Sequence, residues 1–356
     1  MQIVRQTPKE EYRKIDALNQ SMLKVFDENP STFYKLFILK EPREETTSQA
    51  MLIGDLVDFY LLECRGNEAE FDFKFEDKFT VFQGTRTSAQ VFDLADEIFK
   101  LTKSSITEEG EISSTFESRF EEALKNIQAA GKYKGKTPAK ALEDFVNNGQ
   151  SYFETLINSI GKKVVDLFVV EKAKYLVNQL LTDDFTKDIF NGNDDREYLT
   201  KFAIEFNYKG VNCKMEADAI DIDHEIKQIQ PYDLKCTYDN EEFNYSYLKN
   251  GYYLQQAFYH KGIKVWAAKN NMSDYSILPM KFIVADTSKN NRRPLVYKLN
   301  WVHTDQGLYG FTNNGRHYRG IDQLMGAFIW AQENDIWNIS KENFDNNGIV
   351  ELQEFK

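Results

Sequence analysis

Apolar residues recur at helical spacing over the first 63 positions. Met22, Leu23, Val25 and Phe26 mark one short face. Phe33, Tyr34, Leu36 and Phe37 mark a second, and Met51, Leu52, Leu56, Phe59 and Leu62 a third. The pattern predicts three helices, with Ser21 as the cap of the first and Pro30-Ser31-Thr32 restarting the second. Strict alternation in Phe71-Asp72-Phe73-Lys74-Phe75-Glu76 then predicts a strand. Helical spacing returns over 87–199, with amphipathic stretches at 89–101 and 116–129 and longer helices over 138–160 and 163–190. The character changes near residue 200. Phe202, Ile204 and Phe206 alternate with polar residues, and 211–223 and 229–238 alternate again beyond turns at 207–210 and 224–227. Three such runs joined by short turns predict an antiparallel meander. An aromatic-rich helix over 243–269 follows, then strands near 280–285 and 295–299, and a last helix over 320–332.

This order predicts an α/β (α+β) chain built on a central mixed, largely antiparallel sheet flanked by helices. The expected parts are N-terminal helices over 1–63, a mainly helical insertion over 64–199, a sheet-bearing core over 200–338 and a tail over 339–356. The length of 356 residues suits two domains, or one with a large insertion. With 42% hydrophobic and 28% charged residues, the composition is globular rather than disordered.

Charge changes the picture further. A net −12 argues against a passive, charge-driven nucleic-acid coat. The charge is uneven, however: residues 201–250 carry −4 and residues 251–320 carry +7. A basic stretch therefore follows directly on an acidic one, and DNA is not excluded. The three cysteines, Cys64, Cys213 and Cys236, lie far apart with no C-x-x-C. That spacing excludes a disulfide framework and any four-cysteine zinc or iron–sulfur site within one chain. The opening fourteen residues are charged and carry no secretory pattern, and charge interrupts every apolar run before membrane-spanning length. A cytoplasmic setting is expected.

The candidate chemistry lies in the meander. Asp233 and Lys235, two apart on a strand, share a face, with Leu234 on the other. A neighbouring antiparallel strand can bring Asp218 beside them. Two carboxylates and an ammonium at one point suit metal-assisted phosphodiester hydrolysis. The carboxylates bind Mg²⁺, with Mn²⁺ as a substitute, and the lysine positions the nucleophile or stabilises developing charge. D-x-K alone is a weak signal. The following helix adds Gln255 and Tyr259, four apart on one face, with Tyr252 a turn earlier. Read without the strand motif, these are amphipathic core residues with Gln255 at the rim. Glu216 shares parity with Asp218, and Glu205 lies opposite in parity to its apolar neighbours, so each is a further candidate ligand. Asp221 is an alternative to Asp218 on the other strand face. The four histidines show no zinc spacing, and neither a phosphate-binding G-x-x-x-x-G-K-[ST] loop nor a G-x-S-x-G elbow is present.

The order Asp218, Asp233-Leu234-Lys235, then Tyr252-x-x-Gln255-x-x-x-Tyr259 resembles the PD-(D/E)xK nuclease superfamily. It is most similar to the RecB-like branch that includes phage RecE-type exonucleases (exodeoxyribonuclease VIII). Residues 18–26 with 29–34 are similar to the family's opening "S-x-L-K…P-x-x-F" helices. Gly54 to Glu63 resembles its "G-T-x-x-H-x-x-L-L-E" helix. The resemblance covers 1–63 and 164–335, and 64–163 only loosely. It implies a restriction-endonuclease-like core and a Mg²⁺-dependent deoxyribonuclease. In this reading Asp218 and Asp233 bind one or two metals, Lys235 orients or helps deprotonate water, Gln255 positions the phosphate region and Tyr259 buttresses it or contacts DNA. Where the family usually has a histidine near the metal, this chain has Asp58. That residue is either a further oxygen ligand, the mark of a weakened site, or a helix-surface aspartate. The literal "PD" is absent, since Pro231 stands two before Asp233.

The resemblance further implies a phage or prophage protein that resects double-stranded ends 5′→3′ as a ring-shaped homo-oligomer and hands the remaining strand to a single-strand annealing protein. An endonuclease or repair nuclease on the same core, and an inactive DNA-binding or assembly protein, are the competing readings. Candidate DNA contacts are Tyr252, Lys132, Lys134, Lys136 and Lys140 around Tyr133, Arg292 with Arg293, and Arg316 with Arg319; a solvated basic loop is the default reading for each basic set.

Overall fold

The Phe71–Phe75 alternation folds as a helix, Glu68–Lys78, and not as a strand. Asn67 caps it by accepting from the Glu70 N–H at 3.0 Å, and Glu68 and Glu70 suit its positive end. Phe71, Phe75 and Phe79, four apart, then make a run of ring contacts, tilted at 5.3 Å for the first pair and stacked at 5.2 Å for the second. Phe73 is left 81% exposed, so the alternation does not mark a buried face. The computed structural model describes residues 9–42, 48–84, 89–106, 112–191 and 195–350. The charged opening residues 1–8 and the end of the tail, 351–356, lie outside them.

The chain forms two compact units: Asn67–Lys172, and the residues up to Gly66 together with those from Ala173 onward. In the first, β1 (Phe79–Phe82) pairs in parallel with β2 (Lys163–Asp166). The stretch expected to be one helix over 163–190 therefore opens as a strand, continues as helix Leu167–Thr182 and ends in the short helix Lys187–Phe190. The stretch 138–160 is likewise two helices, Pro138–Asn148 and Gln150–Asn158, broken at Gly149. A Cβ there would lie 2.6 Å from Val91. Phe92, Leu94, Ile98, Phe120 and Phe145 anchor this unit's core.

The other unit carries a six-stranded sheet. Its strands are β3 (Glu197–Tyr208), β4 (Val211–Asp223), β5 (Gln228–Thr237), β6 (Ser276–Ile277), β7 (Lys281–Asp286) and β8 (Leu295–Lys298). The order is β3-β4-β5-β7-β8, with β6 beside β5. The meander β3-β4-β5 is antiparallel, β5 runs parallel to β6 and β7, and β8 is antiparallel to β7. A mixed, largely antiparallel sheet with flanking helices is thus the architecture. A small hairpin, β9 (Phe311–Asn313) with β10 (Arg316–Tyr318), lies apart from it.

The aromatic helix expected over 243–269 is two helices, Phe243–Lys249 and Tyr252–Lys269. They break at Gly251, whose φ of +70° is the left-handed region that glycine enters freely. The longer helix lies close on the sheet: a Cβ at Gly262 would come 2.4 Å from Met215 Sδ. Its other side meets helix Trp301–Tyr309, where a Cβ at Gly307 would come 2.2 Å from the Tyr253 carbonyl oxygen. The helix is therefore held from both sides. At the N-terminal end, Asn19 rather than Ser21 caps helix Gln20–Glu28, accepting from the Met22 N–H at 2.9 Å. Leu18 then joins β4 through backbone bonds to Asn212 and Lys214 at 2.9 and 2.8 Å. No helix among the described residues is long and apolar enough to cross a membrane.

Mid-helix His260 is half-buried, edge-on to Trp301, and its Nδ1 has no hydrogen-bond partner. Burial, with Lys264 and Lys261 nearby, pulls its pKa down to about 4. The unfolded chain therefore binds the proton first, and the neutral ring's stabilising contribution is complete above pH 6.5 and lost as pH falls toward 4. Urea unfolding should show about 2 kcal/mol less stability at pH 5 than at pH 7 from this group. The variant His260→Phe should lose that share of the pH dependence; an unchanged dependence would assign it elsewhere.

Candidate active site

The β4–β5 ladder runs from Asp223 paired with Gln228 to Ala219 paired with Tyr232 and stops there. Beyond it the strands part, and β5 continues alone against β7. Asp218 and Asp233 are the first residues past the fork. The Leu234 N–H, without a ladder partner on β4, donates to Asp218 Oδ2 at 2.8 Å. A side-chain carboxylate thus replaces a strand carbonyl where the sheet opens.

Asp233 and Lys235 point together toward helix Tyr252–Lys269. Their side chains form an ion pair at 2.5 Å, and Gln255 Nε2 donates to Asp233 Oδ1 at 2.5 Å. Tyr259, one helical turn beyond Gln255, lines the same cleft. The Lys235 ammonium also lies 4.7 Å from the centre of the Tyr252 ring. Asp218, Asp233, Lys235, Gln255 and Tyr259 line one cleft of about 340 Å³, with Asp58, Glu216, Lys214 and Tyr12. A second cleft of about 220 Å³ opens on the Leu234 and Cys236 side of β5, below Ala50, Met51 and Gly54. Asp58 and Lys235 border both clefts.

One residue here escaped the sequence reading. On β3 and β4 the core residues are Phe206 with Cys213, Ile204 with Met215 and Phe202 with Ala217; farther along they are Leu199 with Ile220. The register is constant, so the core-facing set changes parity in both strands around Lys201 and Asp218. Lys201 has a φ of +48°, uncommon for a residue with a side chain. Its ammonium lies 2.8 Å from Asp218 Oδ1 and 3.9 Å from Glu216, and it forms an ion pair with Asp58. The available signal was the hairpin: a turn at 207–210 places residue 201 opposite residue 218.

The electrostatics set the two aspartates apart. Burial pushes the Asp233 carboxyl up to about 6, although Lys235 opposes it. Burial also pushes Asp218 up, but Lys201, Lys235 and the Leu234 N–H outweigh it and hold Asp218 below the ordinary range. Burial pulls both lysines down; Asp218 and Asp58 more than reverse this for Lys201, and Asp233 and Asp218 do so for Lys235. Burial, then Asp233, raises Tyr259 well above its usual value. Burial, then Asp58, pushes the Cys236 thiol up to about 12, which leaves it unreactive.

Asp58 ends helix Gln49–Asp58, where the backbone changes to a wider π turn over Phe59–Glu63. Glu205 is exposed on β3 opposite Lys214 and does not line the cleft. Lys214 Nζ instead donates to the Tyr12 and Ile15 carbonyls at 3.0 and 2.7 Å. Asp221, the alternative carboxylate, accepts from Arg196 at 2.9 Å. Among the basic candidates, Arg293 makes a two-pronged contact with Asp183 at 2.7 and 3.1 Å and covers Phe185. Arg292 pairs with Asp239, and Arg319 Nε bonds Asp27 at 2.7 Å. Lys132 pairs with Asp93 at 2.9 Å and Lys136 with Asp144, while Tyr133 is a core residue. Lys134, Lys140 and Arg316 are exposed.

The donor chemistry of the cleft fits a hard cation, since Asp58, Glu216, Asp218 and Asp233 all offer oxygen. Four carboxylates against Lys201, Lys214 and Lys235 leave one negative charge. Among the described residues, though, no three acidic, histidine or cysteine side chains form a ready coordination cage. Asp58, Glu216 and Asp218 gather on the Lys201 ammonium instead.

No family model matches this chain, and no curated protein matches it. A solved structure from Eubacterium rectale, provisionally named an exonuclease, is similar over 100% of this chain and 97% of its own. Its TM-score is 0.47 and its sequence identity 11%, too low for that name to bear on the chemistry of this cleft.

Proposed function

We propose that this chain is a metal-dependent nuclease that hydrolyses phosphodiester bonds at double-stranded DNA ends. The observation that supports this most is the fork, where Asp218 meets Asp233, Lys235 and Gln255 within one cleft. Asp218 and Asp233, with Asp58, would hold Mg²⁺ or Mn²⁺. Such a cation, when bound, supplies charge stabilisation and a more acidic water. Lys235 lies beside Asp233, where it orients an attacking water and offers positive charge to the phosphate. Gln255 keeps Asp233 aimed into the cleft, and Tyr259 lines the cleft one helical turn farther on. This gives Gln255 a positioning role on a carboxylate, in place of the phosphate contact expected from sequence. The 5′→3′ direction, a phage-type recombination role, ring assembly and an annealing partner rest on the motif resemblance alone.

The test uses linear duplex labelled at the 5′ or 3′ end, beside a closed circle of the same sequence, with Mg²⁺, Mn²⁺ or EDTA. Metal-dependent digestion of the linear form, early 5′-label release and a resistant circle are the expected results. A circle cut as fast as the linear form would turn the reading to an endonuclease. No digestion with either metal would leave a DNA-binding or assembly protein.

A further inference from the structure

We infer that Lys201 is a built-in cation of the cleft, and that a divalent metal gains Asp58 and Asp218 as ligands only by displacing its ammonium. The inference rests on the proposal that these carboxylates take a metal. Lys201 is 8% exposed and engages Asp58, Asp218 and Glu216, which come from a helix and a strand on either side of it. Lys235 differs, since its close carboxylate partner is Asp233. The Lys201 backbone supplies an independent observation. It stands at +48° inside a strand, between the pairs Thr200–Ala219 and Phe202–Ala217, where the core-facing parity of both strands changes. A non-glycine residue in that conformation persists only where its surroundings hold it.

The consequence is competition. The ammonium lets several carboxylates share a buried cleft while no metal is bound. A cation must approach the same oxygens more closely than an ammonium does, about 2.0–2.6 Å for Mg²⁺ or Ca²⁺. A second positive charge at that distance repels the ammonium, so metal and Lys201 compete for Asp58 and Asp218. Metal occupancy becomes an exchange of one cation for another, weaker than the carboxylates alone would give and sensitive to metal concentration. The Lys201 side chain, four methylenes long, has the reach to swing aside.

Binding of Mn²⁺ alone, followed by the electron paramagnetic resonance of free Mn²⁺, tests this without DNA. The full chain is compared with Lys201→Met and with Lys201→Gln. Both variants should bind Mn²⁺ at least tenfold more tightly than the parent, and Mn²⁺ should raise their Tm by more than it raises the parent's. Adding Asp58→Asn to Lys201→Gln should remove the gain. If Lys201→Met folds only when Mn²⁺ is present, that outcome supports the inference; if it folds under neither condition, Lys201→Gln decides. Affinity in the folded variants no greater than in the parent overturns the inference. DNA digestion run in parallel separates the two readings. Tighter Mn²⁺ binding without digestion by any of the proteins sinks the nuclease reading alone, whereas digestion with unchanged affinity sinks the role of Lys201 alone.

Discussion

Asp233→Asn should lower the rate of linear duplex digestion on the order of a thousandfold while leaving the fold intact. The two carboxylate oxygens of Asp233 face different groups: Oδ1 accepts from Gln255 and Oδ2 pairs with Lys235. An asparagine oxygen still accepts from Gln255, so the helix–strand contact survives. The negative charge is lost, and with it the attraction for a divalent cation and the anchor of Lys235. Initial rates on end-labelled duplex, with circular dichroism as the folding control, measure the effect. A variant that digests at the parental rate would remove Asp233 from the chemistry.

Lys235→Met carries the second large effect, and it acts on stability as well as rate. From sequence alone, Lys235→Ala is expected to suppress hydrolysis while sparing folding and metal binding. The structure revises that expectation, because Asp233 is only 2% exposed and Lys235 is its nearest cation. Methionine replaces most of the stem, while the ammonium's contacts with the Tyr252 and Phe282 rings are lost with the charge. What remains is a buried carboxylate without its counter-charge, at a cost of about 3 kcal/mol at neutral pH. Urea unfolding at pH 7 should show that loss, and digestion should fall with it. Adding Asp233→Asn should recover most of the stability and none of the activity. A single variant as stable as the parent would mean that the pair contributes nothing to folding.

Much of the sheet was readable because its strands alternate and its turns are short. Phe202, Ile204 and Phe206 marked β3, and the turns at 207–210 and 224–227 fixed the meander. The same features brought Asp218, Asp233 and Lys235 near one another on paper. Alternation failed at two kinds of place. At Phe71–Phe75 a cap and ring contacts four apart decide for the helix, so local hydrogen bonding overrides the period. At Lys201 the period itself changes within a strand, and only the paired geometry of β3 and β4 reveals it. The helices over 138–160 and 243–269 were read as continuous because Gly149 and Gly251 are single residues inside long apolar patterns; their breaking role comes from close packing and from a positive φ. Arg292, Arg293 and Arg319 looked like a DNA track because their acidic partners, Asp239, Asp183 and Asp27, are distant in sequence.

The bridge between Leu18 and β4 bears on how the chain comes together during synthesis. Leu18, Leu23, Phe26 and Phe33 belong to a core whose strands begin only near residue 197. The unit Asn67–Lys172 has all of its own core within one continuous stretch. On a ribosome, that stretch is complete before any strand of the sheet exists, so it can consolidate while the first sixty residues still wait for partners. Those early apolar residues wait for their sheet partners through the translation of well over a hundred further residues. Contacts of such long range close slowly, which makes the N-terminal segment the part of the nascent chain most in need of protection from aggregation.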